Sequence, residues 1–379
     1  MKFLHLSDLH IGKTVNGFSM LEEQRHVFAQ IIGYIKTEKP SAVLIAGDIY
    51  DRAVPGIEAV RLFDDFLTDL AGTGVVVLII SGNHDSPERL HYASRLLSEQ
   101  KLHLCGVFDG RLQSVQLKDD YGEINFWLLP FIKPSAVRAY FAIQDMESYA
   151  DAIMAVIDSA AIDYTKRNVL LSHQFYVAAG VTPIRSESEI NPVGGLDAAP
   201  AAIVSGFDYV ALGHLHGRQN VGPHIRYAGS PVKYSLSEWR HTKTVTLVSL
   251  GEKGNLEITE LPLMPLHNMR EIKGPLALLT SQEIADGDCE DYLRVILTDE
   301  EEIVDPMGKL RSRYPNVMAL DFENSRTSIE ITPAPQGTGQ LEKLSTYDLF
   351  SEFYLATTGA VMSQAQAGIV RELLEGGRE

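Results

Sequence analysis

Five segments of this chain end an apolar run in side chains that bind metal ions. FLHLSDLH carries Asp8 and His10 two residues apart, on one side of an extended segment. VLIAGDIYD ends in Asp48 and Asp51, VLIISGNHD in Asn83, His84 and Asp85, VLLSHQ in His173, and YVALGHLHG in His214 and His216. Carboxylate, imidazole and amide oxygen with no thiolate suit manganese, iron or zinc better than calcium or a structural zinc. The ligands outnumber what one ion takes, and one carboxylate must bridge if two ions sit about 3.5–4 Å apart. Such a pair clamps a phosphate and activates water near neutral pH without a serine or cysteine nucleophile. The sequence has neither G-x-S-x-G nor GxxxxGK[ST].

To bring these groups together the chain needs strands that end on one edge. Apolar runs at Lys2–Leu6, Ala42–Ala46, Val75–Ile80, Asn125–Leu129, Asn168–Leu171 and Asp208–Leu212 read as strands, and Met20–Thr37, Ile57–Leu70 and Ser86–Gln100 as amphipathic helices. Strands alternating with helices form a sheet covered on both faces, with ligands gathered at its carboxyl edge. Ile225–Ala228, Thr244–Leu250 and Asn255–Leu261 have little helix between them and read as a second sheet packed on the first. The expected fold is thus α/β, a two-sheet sandwich flanked by helices over residues 1–265. A small α+β cap follows over 266–335, with Asp291–Leu297, Val317–Glu323 and Ser328–Ile331 as strands and Asp305–Tyr314 as a helix. The Pro/Gly-rich linker Thr332–Gln340 leads to a helical hairpin, Tyr347–Thr358 and Ser363–Leu374, the linker and hairpin occupying 336–379.

The 379 residues are 45% hydrophobic and 22% charged, ordinary for a globular protein. His5, Asp8 and His10 interrupt the N-terminal apolar run, so it is no signal-peptide core, and no segment has the roughly 18 apolar residues of a membrane span. Cys105 and Cys289, far apart, argue against a disulfide framework and fit a reducing cytoplasm. A net charge of −17 opposes autonomous binding to nucleic acid, though two divalent ions or a basic partner would offset it locally.

DLH, GDIYD, GNHD, SHQ and GHLH resemble the five signature motifs of calcineurin-like metallophosphoesterases, over about the first 230 residues. With YAGSPVKYSLSE, a cap and two terminal helices, the whole chain resembles the SbcD family of bacterial nuclease subunits. The resemblance implies that Asp8, His10 and His216 hold one metal and Asn83, His173 and His214 a second, with Asp48 bridging. His84 then acts at the scissile phosphate and Asp51 orients it. Arg52 either contacts phosphate or is solvated. It further implies a manganese-dependent 3′→5′ exonuclease on duplex ends and endonuclease on single strands and hairpins, serving DNA repair, recombination and replication. The implied partners are DNA, a second copy of the chain and an SbcC-like coiled-coil ATPase, in a heterotetramer. Helix faces around Leu62–Phe66 and Leu96–Leu97 resemble the family's dimerising helices, although as pattern alone they read as core.

His5, His26, His91, His103, His224, His241 and His267 lie outside the motifs and read as surface or packing residues. The loop Val177–Pro200 follows a ligand and either faces substrate or is a plain excursion. The alternative functions are a small-molecule phosphodiesterase, a protein phosphatase, or a scaffold for an ATPase with a vestigial site. The residues after 265 argue against a minimal phosphatase, and the complete motif set against the scaffold.

Overall fold

The computed structural model describes the chain except residues 142–145, 179, 181–182, 190–197, 282–287, 326–344, 359–360 and 377–379. It divides into two units, Met1–Arg270 and Glu271–Glu379. In the first, β1 (Lys2–Leu6), β2 (Ala42–Ala46), β3 (Val76–Ile80) and β4 (Leu102–Cys105) run parallel. A second sheet contains β5 (Gln113–Asp119), β6 (Gly122–Leu129), β7 (Arg167–Ser172), β8 (Tyr209–Leu212), β9 (Gln219–Asn220) and β10 (Ile225–Tyr227), in the order β9-β10-β8-β7-β6-β5. In it β6, β7, β8 and β10 are parallel. The antiparallel strands β11 (Thr244–Leu250) and β12 (Leu256–Pro262) complete the first sheet as β12-β11-β1-β2-β3-β4.

Every residue of β2 and β7 is buried, which is why β2 is a continuous apolar run and β7 keeps one at its centre, Val169 to Leu171, rather than alternating. Phe3, Leu44 and Leu78 from one sheet meet Phe126, Val169 and Tyr209 from the other, with the Phe3 and Phe126 rings edge to face at 5.6 Å. Each such side chain contributes about 1.5–3 kcal/mol on full burial. The opposite face of the second sheet, through Leu170, Val210 and Leu212, packs on Ile153, Val156 and Ile157 of the helix Tyr149–Ser159. The helices α1 (Leu21–Glu38) and α2 (Ile57–Gly72) bury one face each and stack Phe28 on Phe66 at 4.3 Å.

Two expectations change. The β-rich stretch from 225 to 262 does not form a sheet of its own, because β10 joins the second sheet while β11 and β12 extend the first. The single helix read over Ser86–Gln100 is broken into Pro87–His91 and Ser94–Ser98, since Tyr92 is extended and Ala93 lies in the left-handed region at φ 59°. The ladder stops there, although the apolar spacing continues.

The second unit centres on a three-stranded sheet, β13 (Met269–Gly274), β14 (Tyr292–Leu297) and β15 (Val317–Phe322), in that order. Helix α3 (Pro306–Arg311) is capped by the Asp305 carboxylate, which accepts from Gly308 N at 3.0 Å. Leu276, Leu293, Val295, Leu310, Tyr314 and Val317 form its core. Two further helices follow, α4 (Thr346–Thr358) and α5 (Gln364–Gly376). The strand expected at Ser328–Ile331 and the linker Thr332–Gln340 lie outside the described residues. No helix among the described residues is long and apolar enough to cross a membrane.

Candidate metal centre

Strands β1, β2 and β3 of one sheet and β7 and β8 of the other end on a common edge, and the five motifs are the turns that leave them. These turns are conformationally costly. Asp8 (φ 53°), His10 (φ 41°), Asp48 (φ 51°) and His214 (φ 106°) all occupy positive-φ backbone that L-residues avoid. Each such residue costs on the order of 1–3 kcal/mol, and strain of this kind collects at functional sites. Close packing is equally demanding. A Cβ on Gly82 would fall on the Asp48 carboxylate, so only glycine lets the GNHD turn approach the GDIYD turn.

The motifs interlock through main-chain amides. His214 N donates to both Asp8 oxygens at 3.0 and 3.1 Å, and His84 N donates to Asp48 Oδ1 at 2.8 Å. Asp8, His10, Asp48, His173 and His216 are at most 2% exposed, while His84 and His214 are partly buried. Three groups have ligand atoms close enough to share an ion: Asp8, His10 and His216; His10, Asp48 and His84; and Asp8, Asp48 and His173. Asn83 Oδ1 lies 3.1 Å from His173 Nε2 and 3.1 Å from His214 Nδ1.

Ring tautomers decide whether a cation fits. His173 Nδ1 must donate to the carbonyl of Ala46 at 2.7 Å, so its Nε2 faces Asp48 Oδ2 (3.2 Å) and Asn83 Oδ1 as a bare lone pair or with a second proton. Ser188 Oγ donates to Glu238 Oε1 at 2.9 Å and accepts from His216 Nδ1 at 2.7 Å. His216 Nε2 then points its lone pair at His10 Nε2, 3.1 Å away. Two bare imidazole nitrogens at that distance repel unless a proton or a metal ion lies between them. His10 Nδ1 has no hydrogen-bond partner either. These residues fit divalent cations.

The electrostatics agree. Burial pushes the Asp8 carboxyl up and holds His214 down to about 3. Burial also works to raise Asp48, but the imidazoles of His173, His10 and His84 outweigh it and hold this carboxylate well below its usual range. Burial works to lower His173, yet the Asp48 charge drives it up to about 9. The proton His173 gains stands in for cationic charge at this position.

Asp51 reaches His84 through its main chain, since its carbonyl accepts from His84 Nδ1 at 2.9 Å. Its carboxylate instead accepts from Lys13 Nζ at 2.8 Å and lies 3.6 Å from His10 Nδ1. The Arg52 side chain is 80% exposed and 3.8 Å from Asp51. Asp85 is buried and accepts from the amides of Ile49, Tyr50 and Gly82, tying two motifs together. Its carboxyl is pushed up to about 6 by burial and by Asp48. Outside the motifs His5 is a packed residue, bonded to Tyr209 OH and to the carbonyl of Leu212.

Several contributors escaped the sequence. Glu238 is fully buried, takes the Lys243 ammonium at 2.5 Å and approaches His216 Nδ1 at 3.5 Å. Ser188 and Glu189, in the described part of the loop after His173, contact the His216 ring and amide. Gln24 on α1 donates to the carbonyls of Leu9 and His10. Only a charged pair inside the otherwise ordinary YSLSEWRHTK segment hinted at Glu238 and Lys243.

This chain is similar to known proteins. The calcineurin-like phosphoesterase family matches residues 1–218, and a C-terminal domain described for the type 5 capsule protein repressor matches residues 265–358. The SbcD component of the SbcCD nuclease from Staphylococcus epidermidis is 30% identical over 383 residues, spanning 99% of this chain and 98% of the relative. Among solved structures, a dimetal phosphatase from Danio rerio is 13% identical with a TM-score of 0.42, covering 69% of this chain and 96% of its own. A Thermus thermophilus protein is likewise 13% identical, with a TM-score of 0.40, covering 68% of this chain and 98% of its own.

Proposed function

We propose that this chain, which belongs to the calcineurin-like phosphoesterases and within them to the SbcD nuclease subunits, hydrolyses DNA phosphodiesters with two divalent cations held at the strand-end cluster. Asp8, His10 and His216 hold one ion, Asn83, His173 and His214 the other, and Asp48 is shared. The observation that carries this reading is the pair of imidazole Nε2 atoms of His10 and His216 facing each other at 3.1 Å. Bound ions supply Lewis acidity toward a phosphate and a water, and manganese suits this oxygen–imidazole donor set.

The chain's own residues do the rest. Asp48 is anchored by the His84 amide, and Asp8 by the His214 amide, so both carboxylates are oriented before any ligand arrives. Asp51 O accepts from His84 Nδ1–H, which leaves Nε2 for the substrate, and in the imidazolium form that nitrogen would carry the proton given to the leaving oxygen. Asp51 thus positions His84 by its backbone, while its carboxylate places negative charge 3.6 Å from His10 Nδ1.

The terminal helices support a partner role. Phe353 is 64% and Leu373 71% exposed, and Leu349, Phe350, Leu355 and Ile369 are exposed beside them. Apolar surface of this extent marks a docking site, here for the coiled coil of an SbcC-type ATPase in DNA repair and recombination. Leu62 and Phe66 are core residues, so a homodimer would draw on apolar residues exposed in the same two stretches of chain, Val54, Ile57 and Val60 in the first and Tyr92 and Leu96 in the second.

The test is cleavage of a linear duplex and of bis-p-nitrophenyl phosphate, each with EDTA and after manganese is restored. Metal-dependent release of nucleotides supports the nuclease. Hydrolysis of the small diester alone redirects the reading to a small-molecule phosphodiesterase or a protein phosphatase, and undiminished cleavage in EDTA overturns both.

A further inference from the structure

In a chain of net charge −17, one cavity collects cations. It measures about 500 Å³ and opens where β9 and β10, at one end of the second sheet, meet β11 and β12 at the end of the first. That volume falls within the roughly 300–1,000 Å³ typical of small-ligand sites. His216 forms part of its wall, and so do Arg218, Arg226, Arg240 and Lys243, against one lining carboxylate, Glu260.

The charges do not balance locally. Glu260 is shared, accepting from Arg218 Nε at 2.9 Å and from Arg226 Nη2 at 2.5 Å, so one negative charge serves two guanidiniums. Arg226 is buried and fully engaged, its Nε on Thr246 Oγ1 and its Nη1 on Asn220 Oδ1. Lys243 is neutralised from behind by Glu238. Arg240 is exposed and rests over the Trp239 ring at 4.4 Å, with no carboxylate partner among the described residues. His241, also in the wall, is held below its usual value by burial and then by the charges of Lys243, Lys233 and Arg218. Cationic side chains thus outnumber carboxylates in a concave polar site that begins at His216, the last residue of the GHLH turn.

We infer that this cavity holds a backbone phosphate of the nucleic-acid strand flanking the scissile bond, with Arg218 and Arg240 as its contacts. This rests on the nuclease reading. A strand whose reacting phosphate lies at His216 must continue past that residue. The cavity has room for a phosphate and its sugar; Arg218 gives Nε to Glu260 and Nη1 to the Thr242 carbonyl, which leaves Nη2 for a phosphate oxygen, and Arg240 has no carboxylate claiming it among the described residues. An acidic protein segment offers the same charge but has no reason to abut His216.

The full chain should be titrated with a labelled single strand in EDTA across a range of salt, so that binding is read without metal. Arg240→Gln and Arg218→Gln should each lower the salt slope by about 0.7, the loss of one phosphate contact on a single strand, and Arg240→Lys should restore it. With manganese, each Gln variant should raise KM for duplex by about tenfold more than for bis-p-nitrophenyl phosphate. Unchanged slopes in a wild type that cleaves DNA would sink the cavity alone. Equal losses on both substrates would overturn it as well, assigning the arginines to the His216 support. Binding of labelled polyglutamate that Arg218→Gln and Arg240→Gln weaken, with the single-strand slope unchanged, would replace the strand with an acidic protein. A wild type that hydrolyses only the small diester fails at the earlier step, as a nuclease.

Discussion

Strand β7 carries a buried polar side chain at its start and is followed by another just past its end, about 20 Å away along the strand. At the start, Arg167 is 4% exposed and every contact is answered. Asp119 accepts from it at 2.5 and 3.1 Å, and the carbonyls of Gly122 and Gly251 each accept at 2.8 Å. Past the end, His173 is equally buried, yet its Nε2 is aimed at two oxygens, and the neighbouring His10 and His216 aim nitrogen at nitrogen. Burial of polar groups therefore does not by itself mark function. The amino edge satisfies its donors and acceptors within the chain, whereas the carboxyl edge needs an added proton or a metal ion between its facing atoms.

The sharpest way to break that contrast is Asp48→Ala. Removing the shared carboxylate should take metal content, read by ICP-MS, from about two ions per chain to below one. Phosphodiester hydrolysis should fall to assay background. Retention of two ions would mean that the carboxyl edge does not depend on a shared oxygen. Next in size, His84→Ser should keep its ions while slowing cleavage by about 10²–10⁴-fold, the usual contribution of a positioned proton donor. Anomalous scattering showing a lost ion would move His84 into the ligand set, a place its proximity to His10 and Asp48 permits.

The terminal helices present the inverse mismatch, apolar groups left in water. Ending the chain at Gly339 should weaken capture of the coiled-coil ATPase by about 100-fold or more, as loss of an aromatic anchor cluster does. Hydrolysis of bis-p-nitrophenyl phosphate should stay within about twofold of the full chain, since every residue assigned to the metals precedes Arg270. Full-affinity binding by the shortened chain would show that Phe353 and Leu373 serve something else.

Much of this was readable from residue order. Strands β1, β2 and β11 are buried along nearly their whole length because both faces are covered, so they coincide with the segments read from hydropathy. Strand membership was not readable. Thr244–Leu250 looks the same whether it pairs with β1 or with β10, and only the register Phe3 to Val248 assigns it. β4 and β5 were missed for different reasons, β4 for its four residues and β5 because its alternation is half-exposed. At the site, the motifs announced the ligand types. The supports did not, because Glu238, Ser188 and Gln24 reach the ligands by contacts far away in sequence. The left-handed backbone at Asp8, His10, Asp48 and His214 is invisible as well, since nothing about Asp or His demands it.

The smallest expected effect tests the closed edge. Arg167 hydrogen bonds hold the Asp119 carboxyl well below the usual carboxylate range, against the opposing pull of burial. A folded-state pKa below the unfolded one stabilises the fold at neutral pH, and that contribution fades as acid protonates the group in the folded state. Asp119→Asn should therefore lower Tm by about 2–4 °C at pH 7, the scale of a net loss near 1 kcal/mol in a domain of this size. The two carbonyls remain to hold Arg167, so the loss stays modest. The gap between variant and wild type should narrow from about pH 5 downward, and differential scanning fluorimetry at pH 7 and pH 2.5 would read it. EDTA should leave the gap unchanged, because no cation completes this edge. A gap that widens in acid would reverse the sign, and one that collapses on chelation would tie the amino edge to the metals and erase the contrast between the two ends of β7.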